Sequence, residues 1–221
     1  MKLLQKIAIS TVALGSVATP LSAVAAEAHG YNHAKWNKQD RQCQSIDMKQ
    51  QRLLDKFNFE KPWHITRFQQ LINKDNAKGC VSTQSTFDYL NDFGNFTSLT
   101  TALTYTGLDK TLDGPGQFTT FAPTDNAFAK LPAGLVNSLL TDPALKSTLT
   151  DILLYHVVAG AQVDAATAGT LTEATTAGGK TVAIKKINGS LFINDSKVVL
   201  YDIKTTNGIV HVIDAVLVPS S

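Results

Sequence analysis

Residues that could support catalysis are few in this sequence of 221 residues, which contains five histidines and two cysteines. Hydrolases of several classes carry a Gly-x-Ser-x-Gly turn, phosphate-binding loops carry Gly-x-x-x-x-Gly-Lys, and many metalloproteases carry His-Glu-x-x-His. Each pattern places a nucleophile, backbone amides or metal ligands in the geometry that its chemistry needs. None of these patterns occurs in the sequence. We therefore expect a protein that is not an enzyme and that uses no cofactor.

Residues 1–26 are typical of a secretory signal peptide. Lys2 and Lys6 precede an apolar run over residues 7–17, and small residues follow at 22–26. The run is shorter than the roughly 20 apolar residues of a membrane-spanning helix, and no later segment reaches that length. The sequence therefore predicts a secreted or periplasmic protein that does not span a membrane.

One metal site can be formulated at the predicted mature N-terminus. Cleavage after Ala26 would make Glu27, Ala28 and His29 the first three residues. Their free amine, two amide nitrogens and imidazole could form a square-planar Cu(II) or Ni(II) site. Cleavage one residue earlier would abolish this geometry, and the alternative is a disordered polar terminus without metal.

The charge of the chain does not favour a polyanionic partner. Without the predicted signal peptide, the formal net charge falls from +2 to zero. Residues 27–83 hold ten Lys and Arg against six Asp and Glu, whereas residues 84–221 hold eight against twelve. Docking of the two segments on each other would explain this distribution, since no dense basic run is present. We therefore expect no nucleic-acid partner.

Residues 27–83 are predicted to form a helical extension. Apolar residues recur at helical spacing over 45–57 and 62–75. The extension contains both cysteines, and in an oxidising compartment Cys43 and Cys80 are expected to form one disulfide. Their spacing is too wide for a redox pair, whereas a structural disulfide of this loop length stabilises the fold by about 3 to 4 kcal/mol.

The remaining chain begins with helical patterns. One runs from Thr86 to a stop at Gly107, and a short strand is predicted at residues 118–122. Further helices are predicted from Thr124, near Pro132 and near Pro143.

Strand patterns follow after residue 160. The dipeptides Asn188-Gly189 and Asn207-Gly208 each separate two apolar runs, and we expect both to supply positive-φ turn residues. Residues 165–179 are rich in Ala, Thr and Gly and are predicted to be a loop-rich connection. Helices followed by strands indicate an α+β fold.

The last predicted strand carries a histidine on an apolar face. His211 shares that face with Ile209 and Ile213, while Asp214 lies on the other face. Neither face is cleanly polar, so the strand is predicted to be central in the sheet. We expect His211 to be a partly buried, hydrogen-bonded core histidine.

Three separated segments resemble the fasciclin family (FAS1 domain) in order and spacing: FTTFAPTDNAF at 118–128, LYHVV at 154–158, and TNGIVHVIDAVLVP at 206–219. The resemblance covers residues 84–219 and implies a fasciclin-like fold, with a helical N-terminal half and a C-terminal half rich in antiparallel strands. Residues 27–83 are not covered by the resemblance.

Most motif residues have a structural interpretation. Pro123 fixes an extended exit from the strand, Thr124 can cap the next helix, and Phe121 can pack with Phe128 beneath it. The later motif residues Asn207, Gly208, His211 and Asp214 are interpreted in the same way.

The resemblance makes Tyr155 and His156 candidate partner-binding residues, because the neighbourhood of this pair is associated with receptor binding in adhesive fasciclin proteins. The alternative is structural: their rings are buried between apolar neighbours, and their polar atoms bond to nearby backbone.

The resemblance implies a non-enzymatic binding or adhesion module that recognises a protein or glycan partner at a cell surface or in a matrix. The second hypothesis is a carrier of an apolar small molecule, a pigment or lipid, since some fasciclin-like proteins bind pigments. The extension suggests it, because Trp63, Phe68 and other aromatic residues exceed what a short helical pair needs. These rings could instead pack on the helical pattern at 86–106.

Overall fold

The computed structural model describes residue 59 and residues 61–219. The predicted signal peptide, the helix over 45–57, His29 and Cys43 lie outside these residues and stay predictions.

Helices precede most of the strands, as the sequence predicts. The helices are α1 (Pro62–Ala77), α2 (Thr86–Asp92), α3 (Thr97–Thr106), α4 (Asp109–Asp113), α5 (Asp125–Ala129), α6 (Leu135–Thr141), α7 (Lys146–Tyr155) and α8 (Ala165–Ala168), with a 3-10 turn at Pro143–Leu145. The strands are β1 (Phe118–Pro123), β2 (Val157–Ala159), β3 (Glu173–Thr175), β4 (Thr181–Ile187), β5 (Ser190–Ile193), β6 (Ser196–Lys204) and β7 (Gly208–Ile213). The α+β class is confirmed.

The described strands form one sheet in the order β2-β1-β7-β6-β5-β4-β3. β1 and β7 are parallel, and the other neighbouring strands are antiparallel. β7 therefore lies inside the sheet, as its two apolar faces predict. Its residues are all buried, and His211 is fully rather than partly buried.

Buried side chains form two clusters. The first lies between the helices α1 through α7 and one face of the central strands, and it includes Phe68, Leu103 and Val210. The second joins β1, β6 and β7 to β4 and β5, and it includes Phe121 and Ile193. The expected packing of Phe121 with Phe128 is therefore wrong, since Phe128 packs against the first cluster.

The helical pattern from Thr86 to Gly107 is two helices rather than one. The chain breaks between α2 and α3, where Gly94 has φ +72°. The carboxylate of Asp125 accepts hydrogen bonds from the backbone N–H groups of Thr97 and Ser98 and from the Thr97 hydroxyl. These bonds satisfy the free N–H groups at the N-terminus of α3, so a second helix begins at Thr97. Gly107, with φ +84°, ends α3 as predicted.

The dipeptides Asn188-Gly189 and Asn207-Gly208 serve different purposes. Asn188 and Gly189 have φ of 50° and 78° and form the predicted β4–β5 turn. Neither Asn207 nor Gly208 has a positive φ, so our expectation for that pair is wrong. Gly208 is required for close packing instead: a Cβ there would lie 2.7 Å from the carbonyl oxygen of Phe118.

The loop-rich connection predicted over 165–179 contains two short elements, α8 and β3. The hydroxyl of Thr176 donates to the carbonyl of Lys180, which supports the turn after β3.

Helix α1 packs against the sheet. Its Gln69 side chain donates to the carbonyl of Tyr201 in β6 and accepts from the backbone N–H of the same residue, at 3.1 and 2.9 Å. Its Phe68 ring lies 5.7 Å from the Phe93 ring, between centroids. The described part of the extension thus contributes to the first cluster, and the domain boundary at residue 84 stays a prediction.

Candidate binding site

Tyr155 ends helix α7 and is buried in the second cluster. Its hydroxyl donates to the carbonyl oxygen of Thr181 at 2.9 Å and accepts from the side-chain amide of Asn194 at 3.1 Å. The N–H of Ala177 also bonds to the carbonyl of Val157, at 2.6 Å. These contacts join the end of α7 and β2, at one end of the strand order, to the region of β3, β4 and the β5–β6 turn.

His156 follows Tyr155 and is also buried. The backbone N–H of Leu217 lies 2.9 Å from Nε2 of His156, and Nδ1 lies 2.7 Å from the carbonyl oxygen of Ile152. Because a backbone N–H can only donate, Nε2 is the acceptor and Nδ1 carries the proton. Burial lowers the pKa of His156 to about 4, although the hydrogen bond to Ile152 opposes that effect.

His211 is a second buried histidine with both nitrogens bonded to backbone. Its Nε2 lies 2.8 Å from the carbonyl oxygen of Val163, and its Nδ1 accepts from the N–H of Asp202 at 3.4 Å. Burial lowers the pKa of His211; the hydrogen bond to Val163 and the nearby carboxylates of Asp202 and Asp164 act in the opposite direction. His211 therefore links β7 to the segment before α8.

The last described residues, 214–219, form a segment that we call the C-terminal segment. The Asp214 carboxylate accepts from the N–H of Lys197 at 2.9 Å, and the Asp214 carbonyl accepts from the ammonium of Lys130 at 2.6 Å. The Ser196 hydroxyl donates to the carbonyl of Ala215 and accepts from its N–H. Together with the bond from Leu217 to His156, these contacts hold the segment against β6, α5 and α7.

A cavity of about 220 Å³ lies between α3, α5, α6, α7 and the C-terminal segment. Its inner surface is formed by carbon atoms. The lining includes Leu99, Phe128, Val136, Leu139, Ile152 and Val218, with His156 among the other residues. A cavity of this composition suits an apolar ligand, because it offers nothing to replace the water bonds of a polar group.

The remaining motif residues lie inside the fold. The hydroxyl of Thr124 accepts from the N–H of Ala127 at 3.2 Å, which is the helix cap that the sequence suggests. Pro123 ends β1 and lines the cavity.

Cys80 is buried, and its expected partner Cys43 lies outside the described residues. The disulfide therefore stays a prediction.

Asn207 connects three parts of the domain. Its side-chain oxygen accepts from the N–H and hydroxyl of Thr86, both at 2.8 Å. Its side-chain nitrogen donates to the carbonyls of Leu112 and Gly114 at 2.7 and 2.8 Å. These bonds link the turn before β7 to the beginning of α2 and the end of α4.

Two findings concern the described residues as a set. No group of three or more His, Cys, Asp or Glu among residues 59 and 61–219 could hold a metal ion. No helix in the same part of the chain is long and apolar enough to cross a membrane.

The cavity was not predicted from the sequence. Most residues that line it occupy ordinary apolar positions of helices. They are far apart in the sequence, so the sequence does not indicate that they line one cavity.

Comparisons with known proteins agree on one family. The Fasciclin domain profile matches residues 94–219. Protein sll1483 of Synechocystis sp. is 40% identical over 128 residues, which are 56% of this chain and 67% of that protein. Transforming growth factor-beta-induced protein ig-h3 of Sus scrofa is 36% identical over 57% of this chain and only 18% of its own length.

Structural comparison gives the same fold. The FAS1 domain pair of the insect cell adhesion molecule Fasciclin I superposes with a TM-score of 0.55 and 19% sequence identity, covering 64% of this chain and 52% of the pair. The fold resemblance and the profile match confirm the expectation that we drew from three short motifs. The chain belongs to the fasciclin family.

Proposed function

We propose that this protein is a secreted, non-enzymatic binding module that recognises a protein or glycan partner at a cell surface or in a matrix. The observation that carries the proposal is membership of the fasciclin family over residues 94–219. The similar fold of a domain pair from an insect cell adhesion molecule supports the same class of function. A secreted or periplasmic location follows from the predicted signal peptide.

The partner would contact the surface next to Tyr155 and His156. Both rings are buried, so in this proposal they position the surface and do not touch the partner. His156 holds the C-terminal segment through Leu217, and the next residue, Val218, is 59% exposed. An exposed apolar residue on a firmly held segment is a suitable contact for a protein partner.

The test compares two exposed aliphatic side chains. Surface proteins and glycans from the native source are screened for binding, and the affinity of the best partner is measured by surface plasmon resonance. Val218→Gln should weaken binding about tenfold. Ile187→Gln is the matched control, since Ile187 is 50% exposed at the β4–β5 turn. Equal affinities for both variants would disprove the location, and a screen without any specific partner would contradict the function.

Carriage of an apolar small molecule is the second candidate function, and the cavity favours it. The aromatic residues of the extension support the carrier function less than the cavity does, because Phe68 is 2% exposed and packs in the first cluster. Trp63 is 61% exposed, so the expectation that both rings pack on the helices is met by Phe68 alone. An absorption spectrum of protein purified from its native source, with mass spectrometry of extracted small molecules, tests this function.

A further inference from the structure

The cavity between α6, α7 and the C-terminal segment has a volume and lining that indicate one class of ligand. We propose that it binds a single straight aliphatic chain, from a free fatty acid or from the acyl chain of a lipid. The inference rests on the second candidate function, for which it names the ligand and the site. It does not require partner recognition, although Val218 both lines the cavity and is the proposed partner contact.

The cavity is a built feature because its outer wall is anchored. Leu217 points into the second cluster, while its neighbours Val216 and Val218 line the cavity. The backbone of Leu217 is bonded to His156, and that of Ala215 is bonded to Ser196. The wall therefore cannot move inward to close the space without breaking these bonds and withdrawing Leu217 from the second cluster.

The lining excludes polar ligand groups from the interior. His156 lines the cavity, but its two nitrogens are already bonded to Ile152 and Leu217. A polar group placed inside would lose its water partners and gain none. The polar end of a ligand must therefore stay at the mouth, near the exposed residues Leu135 and Val218.

The volume and lining favour a longer aliphatic chain over a leucine side chain or a polar aromatic ring. An apolar cavity of roughly 150 Å³ holds benzene. The cavity of about 220 Å³ is larger, so it has room for more than the six carbons of benzene. A leucine side chain would leave much of it empty, and an indole or phenol would bury a donor without an acceptor. A methyl-terminated chain can fill the volume and buries no polar group.

The experiment titrates the full chain with straight-chain carboxylates from hexanoate to dodecanoate, below their micelle concentrations, by isothermal titration calorimetry. Each added methylene should raise the affinity about fourfold while it enters the cavity. The affinity should stop rising within the series, at the chain length that fills the cavity. Non-specific adsorption would instead strengthen steadily to dodecanoate, and that result, like the absence of binding by every member, would overturn the proposal.

Two substitutions place the site. Leu135→Gln at the mouth should weaken binding of octanoate about tenfold. Leu171→Gln should leave it unchanged; Leu135 and Leu171 are 38% and 39% exposed, so the pair is matched in exposure and chemistry. Equal binding by the two variants would overturn the assignment of the site.

A filling variant gives a readout that loss of folding cannot imitate. Val136→Phe adds carbons inside the cavity, so the affinity should level off at a chain about two or three carbons shorter. An unchanged chain-length profile would contradict the proposal.

Phosphatidylcholine vesicles identify the source of the chain. Sedimentation of the protein with vesicles, reduced in Leu135→Gln, would indicate lipid acyl chains. Binding of free carboxylates alone would indicate fatty acids. A result without carboxylate binding leaves the partner screen unaffected, so the two proposals fail separately.

Discussion

Several buried polar side chains in this domain each bond to backbone groups of more than one element. His156 joins α7 to the C-terminal segment, His211 joins β7 to the segment before α8, and Asn207 joins α2 and α4 to the β6–β7 turn. Removing such a side chain leaves buried backbone groups unpaired on both sides, which costs more than the bonds themselves contribute. Substitutions made at these residues to test function will therefore lower the stability of the fold before they reveal any role in binding.

The stability of the domain should depend on pH through His156. Its pKa in the folded protein, about 4, lies below the ordinary value of 6.5. Between these values the unfolded chain binds a proton that the folded protein does not. The contribution of His156 to the free energy of unfolding is therefore fully present above about pH 6.5. It decreases by about 3 kcal/mol as the pH falls towards 4. His211, with a pKa also lowered by burial, adds in the same direction.

Urea unfolding at pH 7.5, 5.5 and 4.5 measures this loss, and NMR titration of the histidine ring protons assigns it. The expected result is a His156 resonance that titrates near pH 4. A resonance that titrates near 6.5 in the folded protein would contradict the prediction.

Asn207 and Asn188 allow the same substitution in two environments. Asn207→Asp replaces the amide that donates to Leu112 and Gly114 by a carboxylate oxygen, so one buried and one partly buried carbonyl lose their donor. We expect a loss of about 3 kcal/mol or more in the free energy of unfolding. Asn188→Asp, at the β4–β5 turn, should cost no more than about 0.5 kcal/mol. Urea unfolding compares them, and similar losses would refute the role of Asn207.

At the scale of elements, the parallel pair of β1 and β7 depends on one close approach. Phe118 lies opposite Gly208 at the beginning of both strands, and Thr86 at the start of α2 lies against the same point. The absence of a side chain at Gly208 lets two strands and a helix meet there. The two clusters lie on either side of this central strand pair, so its geometry determines the packing of both.

Gly208→Ala should therefore be more harmful than a glycine substitution at a turn. The new Cβ would lie 2.7 Å from the Phe118 carbonyl oxygen and 2.8 Å from the Thr86 hydroxyl. Relieving this overlap requires movement of β1 or β7, and we expect a cost of about 3 kcal/mol. Gly189→Ala meets no atom within 4 Å but is strained at φ +78°, with an expected cost of about 1 kcal/mol. Equal melting temperatures for the two variants would show that the close approach is not restrictive.

At the scale of the whole molecule, helix α1 belongs to the packed interior although it precedes the family profile match. Phe68 and Ile72 are in the first cluster, and Asn76 donates to the carbonyl of Asp202 at 2.8 Å. The described part of the extension thus packs against β6 and the first cluster.

Phe68→Ala and Trp63→Ala separate packing from exposure along α1. Loss of the buried Phe68 ring should cost about 4 kcal/mol, whereas Trp63→Ala should change stability by less than about 0.5 kcal/mol. Thermal unfolding gives both values. A large loss in Trp63→Ala would mean that its ring is covered in solution, and cargo lost from a stable Trp63→Ala variant would return the carrier function to the extension.

Local rules predicted much of this fold, and tertiary contacts explain the differences. The Asn188-Gly189 turn was predictable because its backbone follows from two residues alone. Asn207-Gly208 has the same sequence, but contacts with Thr86 and Phe118 determine its conformation, and those partners are more than 80 positions away. The cavity could not be predicted either, since separate helices, the end of β1 and the C-terminal segment enclose it. Burial of Tyr155 and His156 was one of two alternatives, because apolar neighbours fit a core and a contact site equally.

The two environments of the Asn-Gly sequences imply different rates of chemical ageing. Deamidation at Asn-Gly begins when the backbone nitrogen of the glycine attacks the side-chain carbonyl of the asparagine. The Asn207 amide is held by bonds to Thr86, Leu112 and Gly114, so it cannot turn towards that nitrogen. Asn188 is exposed at its turn. Long-lived molecules of this protein should therefore accumulate aspartate and isoaspartate at Asn188 and keep Asn207 intact, which peptide mass spectrometry of aged samples can follow.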